Sequence, residues 1–171
     1  MQKIILIGYM GSGKSTLAQL LSKKLSLEYV DLDTLIEKET KETIKSLFEK
    51  GELYFRKVEH EKFKQLINDT NSLIISTGGG TPCYANNHTF LNGQNIVSIY
   101  LKGSIETLAS RLQNEKEHRP LIATLSTTDL KEYIAKSLFE RSFYYQKATH
   151  QITIDNKSIE MLLKEIVQLL N

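Results

Sequence analysis

Two kinds of hydrophobic pattern alternate along this chain. Short β-rich runs, "KIILI" (3–7), "LEYVDLD" (27–33), "LIISTGGG" (73–80), "IVSIYL" (96–101) and "HQITID" (150–155), predict strands. Between them lie stretches whose apolar residues return every three or four places: "TLAQLLSKKL" (16–25), "TIKSLFEK" continuing to "EHEKFKQLI" (43–67), "SIETLASRL" (104–112), "LKEYIAKSLFERSFYY" (130–145) and "IEMLLKEIVQLL" (159–170). These predict helices. Regular alternation of strand and helix implies an α/β fold, a parallel sheet covered on both faces, because parallel neighbours need a crossover between them. Ligands of such sheets sit beyond the carboxyl ends of the strands, so chemistry is sought in the residues that follow each strand. One stretch, "QNEKEHRPLIATLST" (113–127), is polar and Pro-containing between two helices, and is read as a mobile lid.

Length and charge narrow the classes. The 171 residues suit a single domain, 1–171, with a substantial core. Twenty-two basic and twenty acidic residues leave a net charge of +2, too balanced for an electrostatic nucleic-acid footprint. No signal-like or 18-residue apolar segment occurs, so neither nucleic acid nor membrane is expected as a partner, and a monomer working in the cytoplasm is expected. A lone cysteine, Cys83, excludes an internal disulfide framework, and His60, His88, His118 and His150 show no zinc spacing and read as surface residues.

Candidate chemistry begins after the first strand. "GYMGSGKST" (8–16) reads Gly-x-x-x-x-Gly-Lys-Ser between an apolar strand and an amphipathic helix, the phosphate-binding loop pattern. Gly8, Gly11 and Gly13 let backbone N–H groups converge on one anion, and the helix opening at Lys14 points its positive end there. Lys14 would reach the β- and γ-phosphates, and the Ser15 hydroxyl would ligate Mg²⁺. The third strand ends Ile75-Ser76-Thr77 without a carboxylate, which makes Asp31, at the end of the second, the candidate for the metal, through water. Asp33 could be a helix N-cap, but Thr34 and Glu37 offer a capping box that would leave it available. Its role would then be to orient or deprotonate a substrate hydroxyl.

Only four of the twenty-two basic residues are arginine: Arg56, Arg111, Arg119 and Arg141. Where lysine serves for solvated surface, arginine should persist where a planar fork is needed. Arg119 lies in the lid, placed to cover the transferring phosphoryl group; Arg111 is near enough to stack on a base; Arg56 and Arg141 would converge on an acidic substrate. Gly78, Gly79 and Gly80 form a second glycine cluster, with Thr81 and Pro82 expected as N-cap and first helical residue after it. Three glycines in a row argue for close approach by something bound.

Taken in order, "GYMGSGKST", "DLD", "GELYFRKVE", "STGGG", "RPLI" and "ERSFYY" give the chain a resemblance to the shikimate kinase family over essentially its full length. That resemblance implies a three-layer P-loop kinase fold, a five-stranded parallel sheet in order 2-3-1-4-5 with a lid, and transfer of the ATP γ-phosphoryl group to the 3-hydroxyl of shikimate. It implies an ATP cradle of Gly11, Ser12, Gly13, Lys14, Ser15 and Thr16, with Arg111 packing on adenine and Arg119 spanning the phosphates. The catalytic set it implies is Lys14, Asp33 and Arg119. Asp33, Arg56, Gly78, Gly79, Gly80 and Arg141 match the substrate pocket, and Glu59 resembles the acid that holds Arg56. Mg²⁺ would accompany ATP, held by Ser15 and Asp31. Lys41 departs from the family pattern, standing where members often carry glycine.

Other readings draw on the same loop. A relative acting on gluconate or a nucleoside monophosphate is one, although an arginine pair with Asp33 favours an acidic polyol. A GTP switch would need Asp-x-x-Gly and Asn-Lys-x-Asp, and neither occurs; a hydrolytic motor would need carboxylates ending the third strand.

Overall fold

The computed structural model describes residues 2–115 and 122–170. Five strands, β1 (Lys3–Ile7), β2 (Glu28–Asp31), β3 (Leu73–Ser76), β4 (Ile96–Lys102) and β5 (His150–Thr153), form one sheet in the order β2-β3-β1-β4-β5. Every pairing is parallel, with Ile5 of the central strand opposite Ile75 on one side and Ser98 on the other. Among the described residues seven α-helices cover it: α1 (Lys14–Leu25), α2 (Leu32–Thr40), α3 (Ile44–Glu49), α4 (Glu52–Asn68), α5 (Ile105–Gln113), α6 (Thr127–Tyr145) and α7 (Ile159–Leu170).

The period of two in β1 divides the core. Ile4 and Leu6 face one layer, packed with Leu17 and Leu21 of α1, Leu108 and Leu112 of α5 and Leu162 and Ile166 of α7. Ile5 and Ile7 face the other, with Ile36 of α2, Phe55 and Phe63 of α4 and Tyr145 of α6. A strand buried on both faces explains why "KIILI" shows no alternation: all five of its residues are buried. The five strands and their order agree with the reading of the sequence.

Three local expectations are corrected. The helix expected across 43–67 is two helices, α3 and α4, broken at Gly51, whose φ of 127° is outside the reach of an L side chain. The capping box of Thr34 and Glu37 does not form. Asp31 is the N-cap of α2, accepting from Thr34 N at 3.1 Å, while the Glu37 carboxylate accepts from Ile44 N and caps nothing in its own helix. Thr81 is likewise inside a short 3-10 helix (Thr81–Cys83) that Gly80 caps. Of the lid at 113–127, residues 116–121, with Arg119 and His118 among them, lie outside the described residues. On its described sides, Gln113 closes α5 and its amide donates to Thr127 Oγ1 at the start of α6.

Lys41 ends α2 in the left-handed conformation, φ 61° and ψ 24°, with its N–H on Glu37 O at 3.0 Å. A Cβ is unfavourable there, and the side chain is exposed. Lys41→Gly is expected to stabilise the protein by about 0.5–1 kcal/mol, after glycine's greater freedom in the unfolded chain is subtracted. Urea unfolding checks this; a lower midpoint for the variant would show that the cap is not strained.

Candidate active site

A cleft of about 610 Å³ opens beyond the carboxyl ends of β1, β2 and β3, lined by Gly11, Gly13, Lys14, Ser15 and Thr16 on one side and by Asp31, Asp33, Thr77, Gly78 and Gly79 on the other. Arg111, Asn114, Glu115, Ile159 and Leu162 continue it toward α5 and α7.

Its floor is the loop from β1 to α1. Gly8 is required by close approach: a Cβ there would stand 2.8 Å from Leu101 O and 2.9 Å from Ser12 Oγ, at a φ of 147°. Gly11 and Gly13 also have positive φ, and Gly13 caps α1 without any side-chain hydrogen bond. The first-turn N–H groups of α1 therefore face the cleft with the helix's positive end, the arrangement that holds a phosphate. Lys14 is buried, 9% exposed, and its ammonium donates to Gly8 O and Tyr9 O, both at 2.9 Å, so it lies folded over the loop. Ser12 Oγ is buried beneath the loop without a hydrogen-bond partner among the described residues.

Ser15 Oγ donates to Asp31 Oδ2 at 2.9 Å and lies 3.2 Å from Ser76 Oγ, the polar end of the otherwise apolar β3. A hydroxyl and a carboxylate brought together at the phosphate cradle are hard oxygen donors of the kind Mg²⁺ takes alongside phosphate and water. No cluster of three or more His, Cys, Asp or Glu suited to a metal occurs among the described residues. Asp31 thus has two duties, capping α2 with Oδ1 and facing Ser15 with Oδ2.

Asp33 is not on a strand, as β2 stops at Asp31; it is in the first turn of α2 and still lines the cleft. Burial pushes its carboxyl up to about 6, with repulsion from Asp31 and Glu59 adding to the rise and Lys14 opposing it. A carboxylate held near neutrality beside a phosphate loop is suited to taking a share of a hydroxyl proton.

The glycine run joins the two halves of the site. A Cβ on Gly78 would meet Asp33 Oδ1 at 3.3 Å; on Gly79, Arg141 Nη1 at 3.4 Å and Met10 N of the phosphate loop at 3.5 Å; on Gly80, Arg56 Nη2 at 2.7 Å. None of the three has positive φ; at Gly78 and Gly80 neighbouring side chains leave little room for a Cβ, while the contacts at Gly79 are of ordinary length. Arg56 and Arg141 do not line the phosphate cleft itself but stand against this run at its edge. The Arg56 guanidinium lies 4.0 Å from the Tyr84 ring centroid and 5.1 Å from that of Phe55, with Nη1 on Glu59 Oε2 at 2.9 Å. Its Nε is buried and unpartnered within the described residues. Arg141 lies 5.4 Å from the Tyr9 ring centroid. Tyr145 beside it donates to Gly79 O at 2.6 Å, and burial raises its phenol above the usual range. Arg111 Nη1 donates to Gly11 O at 3.3 Å at the α5 end of the cleft. Three of the four arginines therefore reach the site, and Arg119 lies outside the described residues.

Some contributors escaped the sequence reading. Tyr9, Tyr84 and Tyr145 support the two arginines, and Ser76 meets Ser15. A polar residue ending an apolar strand was the available signal for Ser76; the tyrosines had none. The histidines are not simple surface residues: His60, His88 and His150 are half-buried, and His88 packs edge-on to Phe143 and Tyr144. No described helix is long and apolar enough to cross a membrane.

Comparison with known proteins points one way. The shikimate kinase family model matches residues 10–171. The shikimate kinase of Flavobacterium johnsoniae is 52% identical over 171 residues, 99% of each chain. The crystal structure of shikimate kinase from Bacteroides thetaiotaomicron superposes with a TM-score of 0.90 at 32% identity, covering 99% of this chain and 98% of that one. Shikimate kinase from Acinetobacter baumannii in complex with shikimate gives 0.87 at 30% identity, covering 99% and 93%.

Proposed function

The chain belongs to the shikimate kinase family, and from that premise we propose how its cleft transfers the γ-phosphoryl group of ATP to the 3-hydroxyl of shikimate, giving shikimate 3-phosphate and ADP for aromatic amino acid biosynthesis. The observation that carries the reading is the glycine run, which has Asp33 beside Gly78, the phosphate loop and Arg141 beside Gly79, and Arg56 beside Gly80. Shikimate is a carboxylic acid with hydroxyls across its ring. Its carboxylate would take the forks of Arg56 and Arg141, leaving the 3-hydroxyl at Asp33 and facing the nucleotide.

Phosphoryl transfer asks the protein mainly for position and for charge stabilisation. Gly11, Ser12, Gly13 and Thr16 would cradle the phosphates, Lys14 would meet the β- and γ-oxygens, and Arg111 would pack on the base. Mg²⁺, held through Ser15 and Asp31, would neutralise phosphate charge when bound. Asp33 would hold the attacking hydroxyl and accept its proton. Arg119, on the expected lid, would complete the set. All of these groups come from one chain, so a monomer would suffice, and a reaction that consumes ATP suits the cytoplasm.

The test is ADP release from purified protein with Mg-ATP, with and without shikimate. Release should depend on shikimate; equal release without it would remove the acceptor from the reading. Arg56→Lys should raise the KM for shikimate about 10- to 100-fold with a smaller change in kcat, because a single ammonium cannot reproduce the fork. A loss confined to kcat would count against Arg56 as a carboxylate ligand.

A further inference from the structure

Glu59 is 1% exposed, and a carboxylate so dry needs partners for both oxygens. Oε2 accepts from Arg56 Nη1 at 2.9 Å, and Oε1 accepts from Thr81 Oγ1 at 2.6 Å, the length of a charge-assisted bond. Thr81, fully buried, is committed in three directions. Its hydroxyl proton goes to Glu59, its N–H goes to Gly78 O at 3.2 Å, closing the glycine turn, and its carbonyl accepts from Asn87 Nδ2 at 2.9 Å. A carbonyl can only accept, so that last bond settles which way the fully buried Asn87 amide points. Oδ1 then faces His60 Nδ1 at 2.7 Å, and Nδ1 must carry its proton.

Arg56, Glu59 and His60 share one side of α4 at spacings of three and four. The hydrogen bonds therefore form a closed circuit: out of α4 at Glu59, through Thr81 and Asn87, and back into α4 at His60. We infer that Thr81, Asn87 and His60 are positioning residues for shikimate, clamping the glycine turn to α4 so that the Arg56 fork keeps its place beside Gly80. None of Glu59, His60, Thr81 and Asn87 lines the cleft beside the phosphate loop. The circuit's influence should fall on one substrate alone. The inference rests on the assignment of Arg56 to the substrate carboxylate.

Thr81→Val removes the hydroxyl and keeps the shape. It should raise the KM for shikimate about tenfold while the KM for Mg-ATP and kcat stay within about twofold, and Thr81→Ser should restore the wild-type value. In an Arg56→Ala background the same Thr81→Val change should have no further effect on the KM for shikimate. His60→Phe, which keeps the ring stacked on Phe90 and deletes the N–H, should raise that KM about threefold and provides the reading if Thr81→Val does not fold. Equal rises in both KM values, a serine variant as weak as the valine one, or an undiminished effect without Arg56 would each overturn the inference. So would an unchanged KM in the folded Thr81→Val or His60→Phe protein. If Arg56→Ala itself leaves the KM for shikimate unchanged while wild type turns shikimate over, the parent assignment fails instead, and the two failures are distinct.

Discussion

Asp33→Asn should lower kcat by about 10²- to 10⁴-fold and, in the same protein, raise its stability at neutral pH. Both effects follow from one cause. Asp33 sits in the first turn of α2 among Asp31, Glu59 and a cleft wall, and its carboxyl is raised from 3.8 to about 6, by burial first and by its acidic neighbours next. In the folded protein it thus holds its proton over a range where the unfolded chain has released it. Between those two values stability falls as pH rises, and above about 6 the full penalty is present. A shift of two units corresponds to at most about 3 kcal/mol; for a half-buried carboxyl with water at one side, about 1–2 kcal/mol is the expected gain on substitution by a neutral amide. Unfolding free energies at pH 8 and pH 4 check it. The variant should be the more stable at pH 8 and lose that advantage at pH 4. A destabilised variant at pH 8, or a gain that persists at pH 4, would place the carboxylate in a favourable environment and remove the reason for treating it as a poised base. Wild-type kcat/KM should also fall as pH drops through about 6, because protonation would remove the proposed acceptor of the hydroxyl proton.

Lys14→Ala should cost at least about 10³-fold in kcat with both substrates saturating, and change the KM for shikimate little. The ammonium is held over the loop by two carbonyls at 2.9 Å, so it is preorganised and need not be recruited during the reaction. In the proposed reaction, developing negative charge on the phosphoryl oxygens would then meet a fixed positive charge in a partly dry cleft, the condition in which such a charge is worth most. Lys14 also opposes the rise at Asp33, so the acid limb of the residual activity should move to higher pH in the variant. A variant that keeps its kcat and loses only affinity for ATP would make Lys14 a ground-state ligand and shift the burden of stabilisation elsewhere.

How much of this was legible in the sequence varied with the range of the interactions. The phosphate loop is a local device, glycines, lysine and serine within nine residues, and it stands where the pattern placed it. The central strand declares itself by an almost unbroken apolar run, parallel pairing follows from the alternation of strand and helix, and the strand order from the family resemblance. Boundaries fared worse where two residues competed for one duty. Thr34 and Asp31 could both cap α2, and Asp31 won because β2 ends there and its carboxylate can serve Thr34 N and Ser15 together. The break between α3 and α4 turned on the backbone of Gly51, which the continuous apolar spacing on either side concealed. Least legible were the supports of the arginines. Tyr9, Tyr84 and Tyr145 come from three separate segments, and only folding brings their rings and hydroxyls to Arg56, Arg141 and Gly79. From the sequence Thr81 reads only as a helix N-cap and Asn87 carries no signal, for the same reason.

The geometry of the acceptor can be measured most directly in a crystal of the protein with shikimate and a non-hydrolysable ATP analogue. The expected result is a carboxylate gripped by Arg56 and Arg141 at the glycine run, with the 3-hydroxyl oxygen hydrogen-bonded to Asp33 and in line with the γ-phosphorus. A shikimate carboxylate bound away from both arginines, or an Asp33 that touches no substrate hydroxyl, would contradict it.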